Sequence, residues 1–162
     1  MRKELQSKLY KKYPKILRQK DLPSSETCMC WGIYVDSGWY NIIDTLCANI
    51  QYYIDLKNCD GKYELMRKHR EPDENGSWII VEQVEATQVK EKFGGLRFYY
   101  TGGDEYINGL VAFAESISNK TCETCGSTGR HTKCGWIRTM CKTCAAAAQK
   151  ELMGEFDDEE GE

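Results

Sequence analysis

Four cysteines carry the clearest chemistry in this 162-residue sequence. Cys122 and Cys125 are two residues apart, as are Cys141 and Cys144, and fifteen residues separate the pairs. Two Cys-x2-Cys pairs at this distance have the spacing of a structural zinc site. Zn²⁺ takes four thiolates in a tetrahedron, each sulfur at about 2.3 Å, and each paired turn sets two of them on one side of the ion. Gly126, directly after Cys125, suits the tight turn this requires. Four thiolates close the shell to water, so the expected site holds the fold together and does not catalyse. His131 and Cys134 lie between the pairs and are further donors that could replace one ligand.

The other cysteines are Cys28, Cys30, Cys47 and Cys59. A second metal would need all four to converge. They are read instead as core or boundary thiols, Cys47 as a small hydrophobe on the apolar face of its helix. Nine cysteines in a chain without an apolar signal-peptide core suggest metal and free thiols in a reducing cytoplasm, not a disulfide framework.

Catalytic constellations are missing from the sequence. It has two histidines, His69 and His131, too few for the base and metal ligands of an HNH-type nuclease. There is no Gly-x-x-x-x-Gly-Lys-Ser/Thr loop and no Gly-x-Ser-x-Gly. Lys92-Phe93-Gly94-Gly95 reads as a hairpin turn, not a phosphate cradle. The expectation is that the chain is not an enzyme. Residues 120–150 carry six Lys and Arg against Glu123 alone. Arg130, Lys133, Trp136, Arg138 and Lys142 are therefore candidate contacts to nucleic acid or to another partner.

These residues need elements to position them. Leu5, Leu9, Tyr13, Ile16 and Leu17 make an apolar stripe over residues 2–19, which Pro14 must kink or restart. Residues 21–27 read as a loop and 28–35 as a short strand. Trp39, Ile42, Ile43, Leu46, Cys47, Ile50, Tyr53 and Ile54 lie on one face of a helix, with Ser37 as its N-cap and Asn58 or Gly61 at its end. Residues 57–77 read as an excursion ending in the turn Asn75-Gly76. Residues 78–100 read as strands, the first opened by Trp78–Val81 and the last two joined by a hairpin turn at Phe93-Gly94-Gly95-Leu96. Asp104 should cap a helix whose apolar face is Ile107, Leu110, Val111, Ala114 and Ile117. Between the cysteine pairs, Gly135–Thr139 reads as a strand. The run Ala145–Met153 favours helix, which puts the second pair at a helix N-terminus, where the dipole favours thiolate.

The fold class that follows is α+β: a small antiparallel sheet with amphipathic helices and a C-terminal treble-clef-like zinc module. Its parts are a basic N-terminal helical segment (1–20), an α+β body (21–119), the zinc module (120–153) and an acidic tail (154–162). The net charge of −3 conceals a basic head, with eight basic residues and one acid in 1–20, and seven acids with no base in 151–162. Such ends suit charged partners or each other. No apolar run approaches the roughly 20 residues of a membrane span.

The stretches QVKEKFGGLRFYYTGGDEYINGLVAFAESIS, TCETCG and GWIRTMCKTC resemble a family of small, mostly uncharacterised proteins of phages, prophages and some bacteria. The resemblance spans roughly residues 38–54 and 84–144. It implies an α+β body with a terminal zinc module and no established activity. By analogy with small phage accessory proteins, the expected function is binding of a host macromolecule, a host protein in the host cytoplasm, with inhibition of a defence system as the purpose. The alternative is a nucleic-acid-binding zinc-finger protein of regulation or replication. The sequence leaves the partner and the oligomeric state open.

Overall fold

The computed structural model describes residues 1–58, 81–132 and 136–157. Pro14 decides where the first helix stops. Helix α1 (Lys3–Lys12) ends at Tyr13, the residue before proline being pushed out of helical geometry. The chain then resumes as turns, including a 3-10 turn at Arg18–Asp21. Leu9, Tyr13, Ile16 and Leu17 are all buried, and Leu5 half-buried, so the stripe survives the break.

Residues 28–35 correct the strand expectation. Cys28–Trp31 is a 3-10 turn, and strand β1 is only Ile33–Tyr34. The Thr27 hydroxyl accepts from the Met29 N–H, the local bond by which Thr favours a turn over a strand. Cys28 is exposed while Cys30 donates to the Thr27 carbonyl at 3.2 Å.

Helix α2 (Tyr40–Lys57) follows a 3-10 turn at Ser37–Trp39. Its buried face is the one read from the sequence, with Trp39, Ile43, Leu46, Cys47, Ile50 and Ile54 buried. Ser37 does not cap it; the Ser37 hydroxyl instead accepts from the Arg2 N–H. Asn58 does end it. Its side chain donates to the Val81 carbonyl at 2.7 Å and accepts from the Val81 N–H at 3.0 Å. The excursion from residue 59 on, the Asn75-Gly76 turn and Trp78–Ile80 lie outside the described residues; Val81, read as part of the same strand opening, is buried but stands in no strand.

Strands β2 (Glu85–Lys92) and β3 (Gly95–Thr101) form the hairpin. Phe93 and Gly94 both have positive φ, 52° and 76°, the geometry of a two-residue turn that follows the strands' twist. The irregular apolar pattern of β2 has a physical cause. The register shifts between Ala86 and Gln88, so Thr87 bulges and Val89 regains the buried side. β1 pairs with β2 in parallel, and the order is β1-β2-β3. The sheet is therefore mixed: an antiparallel hairpin with one short parallel strand.

Helix α3 (Glu105–Ser118) begins at Asp104, whose carboxylate accepts from the Ile107 N–H, a cap worth about 1 kcal/mol. Its buried face is Ile107, Val111, Ala114 and Ser118. Ile117 is 38% exposed, which corrects one position of the expected stripe. The reason is the sheet edge: the Ser118 hydroxyl accepts from the Leu96 N–H, and the Glu115 carboxylate from the Phe98 N–H. Polar side chains of α3 thus satisfy donors that β3 would otherwise leave open. No helix among the described residues is long and apolar enough to cross a membrane.

Candidate metal centre

After α3 the chain returns on itself twice. Cys122 donates its N–H to the Ser127 carbonyl, and the Gly126 N–H bonds the Cys122 carbonyl. This closes the first Cys-x2-Cys turn, with Gly126 at φ 80°. Strands β4 (Arg130–His131) and β5 (Thr139–Met140) pair antiparallel. Helix α4 (Lys142–Asp157) starts earlier than its alanine run predicts. Cys141 stands just before it and accepts from the Cys144 N–H at 3.4 Å, so a ligand sulfur takes the place of a capping oxygen.

The result brings together the four cysteines singled out by spacing. The sulfurs of Cys122, Cys125, Cys141 and Cys144 all lie within 4.8 Å of one another and could hold a metal ion. Cys125 and Cys141 are 3.8 Å apart, sulfur to sulfur. Cys122 is buried, Cys141 and Cys144 half-buried, and Cys125 exposed. The thiols differ. The hydroxyl and backbone N–H of Ser127 lower the Cys125 thiol to about 6, while hydrogen bonds to Cys141 and Cys125 push Cys144 up to about 12. A stabilised thiolate at Cys125 beside a Cys144 thiol held neutral is what crowding of potential negative charge produces.

His131 lies exposed in β4 and does not join this group. Cys134 and Lys133 are outside the described residues, as is Cys59. Cys47 sits in the core, where burial raises its thiol. Among the described residues the four-cysteine group is the only such cluster.

The cluster is fastened to the rest of the fold by contacts that spacing does not reveal. A Cβ on Gly38 would meet the Cys122 carbonyl oxygen at 2.3 Å and the Gly126 nitrogen at 2.5 Å. The Gly38 N–H donates to the Glu123 carbonyl at 2.7 Å. Trp39, read from the sequence as core only, also donates its indole N–H to the Thr121 carbonyl. The buried Thr139 hydroxyl donates to the Gly94 carbonyl at 2.6 Å. The helix α2 start and the hairpin tip therefore both grip the metal loops.

Charge around the site differs from the sequence tally. Arg130 and Lys142 are exposed. Arg138 is held: its Nε bonds the Glu123 carboxylate and its terminal nitrogen bonds Asp36 at 2.7 Å. Glu123 is 4% exposed, its second carboxylate oxygen has no partner, and burial pushes its carboxyl up while Arg138 opposes this. A cleft of about 260 Å³ here is lined by Tyr34, Asp36, Glu91, Glu123, Trp136 and Arg138. Trp136 is 75% exposed, and Ile137 and Phe93 are also exposed. Ile137 reaches the hairpin tip, since a Cβ on Gly94 would lie 3.2 Å from its Cγ2. No sequence motif marks Glu123 as part of this cleft; only its neighbours in space do.

No protein-family model, no curated protein and no solved structure matches the chain.

Proposed function

We propose that this chain is a zinc-stabilised binding protein, not an enzyme, acting as a phage accessory protein on a host protein in the cytoplasm. Inhibition of a host defence system is the role that its resemblance to small phage proteins suggests. Zinc is supported by the donor set and its dimensions. A tetrahedron with bonds of about 2.3 Å has sulfur–sulfur edges of about 3.8 Å, the separation of Cys125 and Cys141. When bound, the ion cross-links the two cysteine pairs and supplies no open coordination position. The succession of Cys-x2-Cys turn, β4–β5 hairpin and α4 supports a treble-clef reading of the module.

The observation that carries the binding role is the surface beside the metal loops. Trp136 exposes apolar area at a cleft bordered by Asp36, Glu91 and Glu123, and exposed Ile137 beside it reaches the hairpin tip, where Phe93 is also exposed. Exposed aromatic residues are enriched at protein interfaces. Carboxylates repel phosphate, and Arg138 already serves two of them, so this face favours a protein over nucleic acid. The test is retrieval of one host protein by the intact chain, compared with Phe93→Ser/Trp136→Ser at equal metal content, alongside a salt-dependent DNA shift assay. The reading requires a specific host protein that the double variant loses. Tight DNA binding near physiological salt, with no protein retrieved, would replace it with the nucleic-acid alternative.

A further inference from the structure

Helix α3 buries one face and leaves an adjoining apolar face open. Tyr106, Phe113 and Ile117 are 56%, 67% and 38% exposed, and with half-buried Leu110 they follow the 4, 3, 4 spacing of a helix-packing seam. Exposed Gly109 lies beside them, and a Cβ placed there would meet nothing within 4 Å. Gly109 has no positive φ and touches no part of its own chain that would exclude a side chain. Glycine in a helix interior is nevertheless the poorest choice after proline. Close approach by another helix accounts for it; the helix's own fold does not.

We infer that this face of α3 is an isologous interface with a second copy of the chain, the two helices crossing antiparallel about Phe113. The spacing is self-complementary, as a two-fold interface requires. Ile117 stands four residues after Phe113 and Gly109 four before it, so each Ile117 enters the gap over the partner copy's Gly109. Phe113 meets its own counterpart at the axis. The same pairing brings exposed Lys120, two residues beyond the end of one helix, toward Glu105 in the first turn of the other, beside Tyr106, whose ring stacks on Tyr53 of its own chain at 4.4 Å. Charge and shape thus both select an antiparallel copy. The helix is 14 residues long, about 21 Å, so the contact is smaller than a standard interface and the dimer is weak.

Sedimentation equilibrium of the full chain, as purified with its metal, tests this between about 5 µM and about 1 mM. The weight-average mass should rise from 18.7 kDa toward twice that value. Phe113→Glu should keep the mass at monomer throughout with an unchanged circular-dichroism spectrum. Gly109→Ala offers the second arm. It should raise the melting temperature by about 2–4 °C, measured at a concentration where the chain is monomeric, because the helix gains propensity. It should also weaken association at least several-fold, because the gap is filled. A chain that stays monomeric to about 1 mM overturns the inference. So does a dimer that survives both substitutions, since it would use another face.

Discussion

At the residue scale the four clustered cysteines are not equivalent. Ser127 stabilises the Cys125 thiolate, whereas burial or neighbouring thiols hold Cys47 and Cys144 protonated. The thiolate is the reactive form. After metal removal at pH 7, iodoacetamide should therefore modify Cys125 well before Cys144 and Cys47, as read by peptide mass spectrometry. Equal rates at the three would contradict this electrostatic picture. A second residue-scale consequence concerns Glu85. The Arg18 hydrogen bond lowers its carboxyl below the ordinary value. The fold favours its ionised form, so its contribution is present above the unfolded value of about 4.3 and is lost as pH falls through the lowered folded value. Glu85→Gln should cost about 1–3 °C of melting temperature at pH 7, the size expected of an exposed pair. The difference should vanish near pH 2; a cost independent of pH would assign Glu85 another role.

At the element scale, the start of α2 is the seat of the metal loop. The Gly38 backbone packs against the backbone of Cys122, Glu123 and Gly126, so a methyl group there meets atoms that no side-chain rotation can move. Gly38→Ala should destabilise the protein by about 2–3 kcal/mol and weaken metal retention against a chelator. Unchanged retention would mean that the loop keeps its shape without this contact. Helical elements were the most legible in the sequence. The Trp39–Ile54 stripe, the Asp104 cap and the Phe93-Gly94 turn stand where periodicity and turn chemistry put them. The strand read at 28–35 became a turn because the Thr27 hydroxyl offers the Met29 N–H a local partner. Ile117 was misplaced because Ser118 is buried to serve a β3 donor, a demand of the sheet that helix periodicity does not contain. The four-cysteine cluster was legible because its spacing is local. Its anchors Gly38, Trp39 and Gly94 were not, being brought in by tertiary packing.

At the scale of the whole molecule, two regions are joined by backbone contacts while only one owns the core. The main apolar cluster runs from Leu9 to Ala114 and takes no residue from beyond it; Cys122 and Met140 are buried outside that cluster. The basic head is partly committed to this body, through Lys12–Asp44, Lys15–Asp55 and Arg18–Glu85. Removing the metal should therefore lower the melting temperature while α2 and α3 persist, seen as partial loss of helical circular dichroism. Complete loss would show that the metal loops support the core itself.

The central claim is a single closed four-thiolate metal centre, and native mass spectrometry of the full chain, purified without added metal under reducing conditions, tests it most directly. The account predicts one zinc ion per chain, and its loss in Cys122→Ser/Cys141→Ser. A folded, reduced chain that carries no metal would contradict it, as would one that keeps its metal after both substitutions.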